Sequence, residues 1–187
     1  MTPAAPSIIP VLQKHLEELG SLWEQRQAAL CSPDYLARDV GVLDRRIKAH
    51  LDGLMLGGES AIEWLGTQLE SDDPWAVFAA GYILLSLKIP AAAERVTGAL
   101  LQCKPEPLEG FRQALCHGPI DLVERSLREA IDSAPAPVAA AAWEALLYHG
   151  HRENHPARLA ELLAHEDPAL RRAGWRIIAL LDSPDNP

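Results

Sequence analysis

The chain has 187 residues, a formal net charge of −9 and 48% hydrophobic residues. That is enough for one buried core or one short repeat array, and too apolar for a disordered acidic tail. A pI near 5.2 without a basic run argues against nucleic acid or anionic membrane as a partner. No apolar run approaches the roughly 18 residues of a membrane span. Alanine and leucine number 29 each, against 20 for valine, isoleucine and threonine together, so the composition predicts an all-α protein. Fifteen prolines fit that class only if they stand between short helices, because an interior proline costs a helix about 3 kcal/mol.

In chain order, residues 9–30 read as a long first helix with Leu12, Leu16, Leu19, Trp23 and Leu30 in its apolar positions. Ser32-Pro33 ends it, and residues 1–34 form an N-terminal cap. Residues 35–54 carry Leu36, Val40, Leu43, Ile47, Leu51 and Leu54 on one face, and Gly57-Gly58 breaks the pattern. A helix over 60–69 follows, with Ile62, Trp64, Leu65 and Leu69. Four prolines then come at almost even intervals: Pro74, Pro105, Pro137 and Pro168, separated by 31, 32 and 31 residues. Self-similarity at such a period is the mark of a solenoid. Asp72-Asp73-Pro74 and Glu166-Asp167-Pro168 read as helix starts, with Asp73 and Asp167 as N-caps and proline at the first helical position. The unit at Pro105 is the least regular and carries a second proline, Pro107. Second helices are expected over 91–102, 120–132 and 157–164, each following a proline. A lone last helix covers 168–181. The expected layout is antiparallel helix pairs over 35–182, with 1–6 and 183–187 frayed.

Glu166-Asp167-Pro168-Ala169-Leu170-Arg171-Arg172-Ala173 resembles a HEAT repeat of the short bacterial, phycobilisome-lyase-like kind. Asp72 to Leu85 is similar but has Val77 and Phe78 where that pattern has arginines. The resemblance implies a HEAT-like α-solenoid. A narrower likeness lies upstream, in Ile9-Pro10-Val11, His15-Leu16-Glu17-Glu18, Leu22-Trp23, Arg26, and Leu43-Asp44-Arg45-Arg46-Ile47-Lys48-Ala49-His50-Leu51-Asp52-Gly53-Leu54. These residues resemble the opening of a proteobacterial HEAT-like family, some members of which are encoded beside type VI secretion genes. Members are often longer, so the lone last helix reads as the mark of a shortened chain. The likeness implies a setting of toxin effectors with their immunity or loading proteins, and it transfers no catalytic residue.

Repeat arrays of this kind offer curved binding surfaces and rarely carry chemistry. The expectation is therefore a non-enzymatic protein-binding module without cofactor or metal. Its concrete form is an immunity protein that binds and neutralises a type VI secretion effector. The alternatives are a loading adaptor or chaperone of that system, and a HEAT-type lyase or metal-dependent enzyme. The partner surface is expected on an acidic face, through Glu63, Glu70, Asp72, Asp73, Glu94, Asp121, Glu124 and Glu161, with Trp75 as aromatic anchor. The other tryptophans, Trp23, Trp64, Trp143 and Trp175, read mostly as packing residues. The enzymatic alternative would use His149, His151, Glu153 and His155, whose spacing suits an inter-helix turn better than a metal site. His165-Glu166 reads as helix-start chemistry, and Cys116-His117 as boundary packing. The first ten residues lack the basic and apolar stretches of a secretory signal, and three cysteines without CxxC spacing suit reduced thiols, so a cytoplasmic location is expected. A homodimer through the exposed terminal helix is a further expectation.

Overall fold

The computed structural model describes residues 8–182; the expected frayed ends, 1–6 and 183–187, lie outside the described residues. Among the described residues there are helices and no strand, so the chain is all-α. The helices are α1 (Ile9–Cys31), α2 (Ala37–Met55), α3 (Ile62–Gln68), α4 (Pro74–Ser86) and α5 (Pro90–Leu101). They continue as α6 (Leu108–His117), α7 (Glu124–Ser133), α8 (Ala136–Tyr148), α9 (Pro156–Ala164) and α10 (Pro168–Asp182). No helix among the described residues is long and apolar enough to cross a membrane.

Proline acts as a helix opener. Pro74, Pro90, Pro156 and Pro168 are the first residues of α4, α5, α9 and α10, and Pro137 is the second of α8. At those positions the absent N–H would have had no intrahelical partner, so nothing is lost. Asp73 accepts a hydrogen bond from the Trp75 N–H at 3.0 Å, and Asp167 one from the Ala169 N–H at 2.8 Å, which caps α4 and α10. Pro105 departs from the expectation: α6 begins only after Pro107, which occupies the N-cap. The helix expected over 120–132 starts late, at Glu124. Ile120 and Val123 are buried all the same, from a turn in which the Val123 and Glu124 N–H groups both donate to the Ile120 carbonyl. The break before α3 is longer than expected, because Gly58 takes a φ of +51° and a 3-10 turn, Gly58–Ala61, precedes the helix.

The helices pack in two rows. α1, α4, α6, α8 and α10 stand side by side, each touching the next. α2, α3, α5, α7 and α9 lie over them, with α2 on α1 and α4, α3 and α5 on α4, α7 on α8, and α9 on α8 and α10. α4 and α8 are flanked on both sides and covered, and their sequences are apolar nearly all round, as such a position requires, with Glu144 of α8 the exception. α2 packs mainly on α1 and α4. Its expected buried stripe is sealed only at Ile47 and Leu54, while Leu36 is exposed and Val40, Leu43 and Leu51 are half-covered.

The row is tightest between α4 and α6. A Cβ on Gly110 would stand 2.1 Å from the Pro74 carbonyl oxygen, and one on Gly81 would stand 3.1 Å from the Ala114 Cβ. By contrast, a Cβ on Gly98 of α5 meets nothing within 4 Å. The same substitution therefore has opposite effects. Gly110→Ala forces the helices apart and lowers stability by about 1–3 kcal/mol, whereas Gly98→Ala raises it by about 0.5–1 kcal/mol through helix propensity. Urea unfolding of the two variants beside the parent chain checks both signs.

Candidate functional site

Charge is unevenly placed along the chain. Between Lys48 and Lys88 there is no lysine or arginine, but there are six carboxylates: Asp52, Glu59, Glu63, Glu70, Asp72 and Asp73. Glu63 is ion-paired with Arg95 of α5, and Asp72 with Lys104 at 3.1 Å. Both cations line a groove of about 450 Å³ over α3 and α5, together with Glu70, so that groove carries mixed charge.

A second cleft, also about 450 Å³, lies between α1 and the start of α4. Glu17, Gly20, Ser21 and Glu24 come from one face of α1, as their spacing of three and four residues dictates. Asp73, Trp75 and Ala76 come from α4 and its cap. Gly20 permits the close approach: a Cβ there would be 3.3 Å from the Trp75 Cβ. Trp75 is half-buried, whereas Glu17, Glu24 and Asp73 are exposed. Among the described residues, no lysine or arginine lines this cleft. Lys14 stands one turn before Glu17 on α1, outside the lining, and Arg26 is engaged elsewhere, 2.6 Å from Asp44 and stacked over Trp23. Glu17 accepts a hydrogen bond from Gln13 at 2.9 Å, and Asp73 spends one carboxylate oxygen on the α4 cap. Three carboxylates around an aromatic wall can accept a cationic side chain, with the ring face contributing to its binding.

The other expected surface residues are spread. Glu94 is exposed on α5, and Asp121 is exposed in the turn before α7. Glu124 is ion-paired with Arg128, and Glu161 with Arg158 at 2.8 Å. Asp73 and Trp75 are the two expected residues that share the second cleft. Glu17 and Glu24, its other carboxylates, are absent from the sequence expectation; their seven-residue spacing around Gly20 is the signal that marks them. Trp175 is a correction. It is 64% exposed, because it sits on the side of α10 that faces away from α8 and α9.

The histidine-rich turn after α8 does not gather its imidazoles. His149 Nε2 lies 2.9 Å from the Leu115 carbonyl, His151 lies beside Arg128 and Glu124, and His155 Nδ1 is 3.2 Å from Asp132. Glu153 accepts a hydrogen bond from Arg128 at 2.6 Å, and its carbonyl accepts one from Trp143 Nε1. Among the described residues, no group of three or more His, Cys, Asp or Glu side chains could hold a metal ion. His165 Nδ1 accepts from the Asp167 N–H, which puts it in the α10 cap. Burial pushes the Cys116 thiol up to about 12 and the Cys103 thiol up to about 11, so both stay protonated near neutral pH.

One polar cluster is buried instead of exposed. Glu144 of α8, its side chain 3% exposed, accepts hydrogen bonds from Arg176 of α10 at 2.8 and 2.9 Å and from Arg112 of α6 at 3.3 Å. Arg112 also donates twice to Glu109. Burial opposes the charge on Glu109, and its bonds with Arg112 and Gln113 more than offset this, holding the carboxyl below its ordinary range. Arg112, Glu144 and Arg176 are spaced by 32 residues, as are Glu63 with Arg95 and Asp72 with Lys104.

Compared with known proteins, the chain matches no family model, no curated protein and no solved structure.

Glu144→Gln removes the charge and keeps the shape, taking the carboxylate partner from Arg176 and leaving Arg112 with Glu109 alone. It is expected to cost about 2–3 kcal/mol, read as a lower urea midpoint with an unchanged slope.

Proposed function

We propose that the chain is a HEAT-like α-solenoid of helix pairs, with a period near 31 residues, that works as a non-catalytic protein-binding module. Three observations support the architecture: helix starts at proline, two rows of helices, and four ion pairs that join residues 32 apart. The observation that carries the binding reading is the α1/α4 cleft, where Glu17, Glu24 and Asp73 surround Trp75 and no lysine or arginine is among the described lining residues. Such a cleft suits a lysine or arginine side chain on the surface of a basic protein, with tryptophan as the anchor that excludes water. The resemblance of the first 54 residues supplies the setting. The protein is an immunity protein that binds a type VI secretion effector in the cytoplasm of the producing cell and neutralises it by covering its surface. The chain's charge of −9 favours rapid, oriented encounter with a basic effector.

The test is binding to the product of the neighbouring effector gene, by calorimetry at low and physiological salt. Binding is expected at low salt and weaker as salt rises. A Glu17→Gln, Glu24→Gln, Asp73→Asn variant keeps an N-cap, since asparagine caps as well as aspartate. It is expected to lose about tenfold or more in affinity and most of the salt dependence, and Trp75→Ala is expected to cost about 2 kcal/mol. Absence of a complex at low salt, or an unchanged affinity in the triple variant, refutes the reading.

A further inference from the structure

The contact between α1 and α2 contains a histidine pair that the cleft does not use. His15 of α1 and His50 of α2 bring their Nδ1 atoms to 3.1 Å, with ring centroids 5.2 Å apart and planes at 66°. The pair is built into the helix contact. Gly53, three residues after His50, leaves the space for the His15 ring: a Cβ there would stand 2.7–2.9 Å from three of its atoms. Any side chain at 53 would push that imidazole away from its partner.

Two Nδ1 atoms at this distance share one hydrogen. One ring donates, and the other must offer a lone pair. When both rings are protonated, two N–H groups and two positive charges meet, and the bond becomes a repulsion. The charged groups around His50 do not cancel that repulsion. Glu18 of α1 favours its charged form, while Arg46 of α2 opposes it. α4, which packs on both helices, has only Tyr82 as an ionisable side chain, and that ring lies near Phe78. Burial first, and His15 second, hold the His50 pKa below its ordinary 6.5. No third His, Cys, Asp or Glu side chain among the described residues completes a metal-holding group with the pair.

We propose that His15 and His50 form a proton-limited latch between α1 and α2, closed while one of the two facing nitrogens lacks a proton and open when both rings are charged. The sign follows from linkage. His50 takes up its proton less readily folded than unfolded, so its share of stability is complete above pH 6.5 and is lost as the pH falls below that value. α1 also supplies Glu17 and Glu24 to the cleft, so opening the latch loosens one wall of it. That last link rests on the proposed binding role; the latch itself does not.

The test is an NMR titration of the imidazole resonances of the full chain, from about pH 8 to about pH 5. Reading the rings one by one also separates His50 from His117, whose pKa burial and Arg26 lower to about 4. The His50 ring is expected to complete its protonation below its ordinary 6.5. Amide exchange in α1 and α2 is expected to accelerate as His50 takes up its proton. In His15→Asn, and in Gly53→Ala, which displaces the His15 ring, His50 is expected to move back toward its ordinary value. In the parent chain, a His50 ring that is protonated at or above pH 6.5 overturns the latch, whether or not the variants fold. So does equimolar Zn²⁺ shifting both rings together at neutral pH, since that makes the pair a metal site. Failure of the cleft reading leaves these titrations unchanged, and failure of the latch leaves partner affinity at neutral pH unchanged.

Discussion

A carboxylate as buried as that of Glu144 can stay charged only where the fold brings cations to it. Its partners are Arg112, 32 residues earlier, and Arg176, 32 residues later. α8 can therefore enter the middle of the row only when α6 and α10 stand on either side in one particular register. Any slip leaves a charge unpaired in an apolar interior, at a cost of several kcal/mol. The net stability of such a cluster is small compared with an apolar one of the same shape, so its contribution is to specificity of stacking. The apolar faces of α4 and α8 supply the driving force for burial, and the ion cluster selects one arrangement from those that burial alone would allow. The close seat of α6 on α4 through Gly110, and the seat of α4 on α1 beside Gly20, extend that arrangement to the cleft.

The same 32-residue pairing accounts for where charge is left over. Arg95 and Lys104 reach back to Glu63 and Asp72, while Arg112 reaches forward to Glu144. The lining of the α1/α4 cleft carries no such pair among the described residues. Its carboxylates Glu17, Glu24 and Asp73 face one another across a half-buried tryptophan, and Arg26 is drawn off by Asp44 and Trp23. Net charge alone could not locate this surface, because many of the acidic side chains elsewhere are paired with arginine or lysine. Carboxylates gathered beside an aromatic wall are a physical reason for a basic partner that a total of −9 is not.

Much of the helical layout is legible in the sequence, because it is written in local terms. Apolar spacing and helix-opening prolines mark α1, α4, α8, α9 and α10 to within a residue or two. The failures come where tertiary neighbours decide. Ile120 and Val123 fit a helical stripe, yet they are buried from a turn, since a spacing of three satisfies both. The stripe of α2 is half open because, among the described residues, no further helix packs on its outer side, which no periodicity in α2 itself can reveal. Trp175 and Trp143 occupy similar places in similar helices. Only the packing of α8 between α6 and α10 buries one of them and leaves the other in solvent. Arg112, Glu144 and Arg176 look like isolated surface charges when read singly. Their meaning lies in their spacing, and in the fact that a helix of small apolar residues such as α8 has no cheap place for a carboxylate without them.

The proposed basic partner would meet the chain at the α1/α4 cleft. Amide hydrogen exchange of the full chain, with and without the proposed effector partner, tests that most directly. New protection is expected to be concentrated in residues 16–24 and 72–76. Protection confined to the outer face of α10 around Trp175, or no change anywhere at low salt, would contradict it.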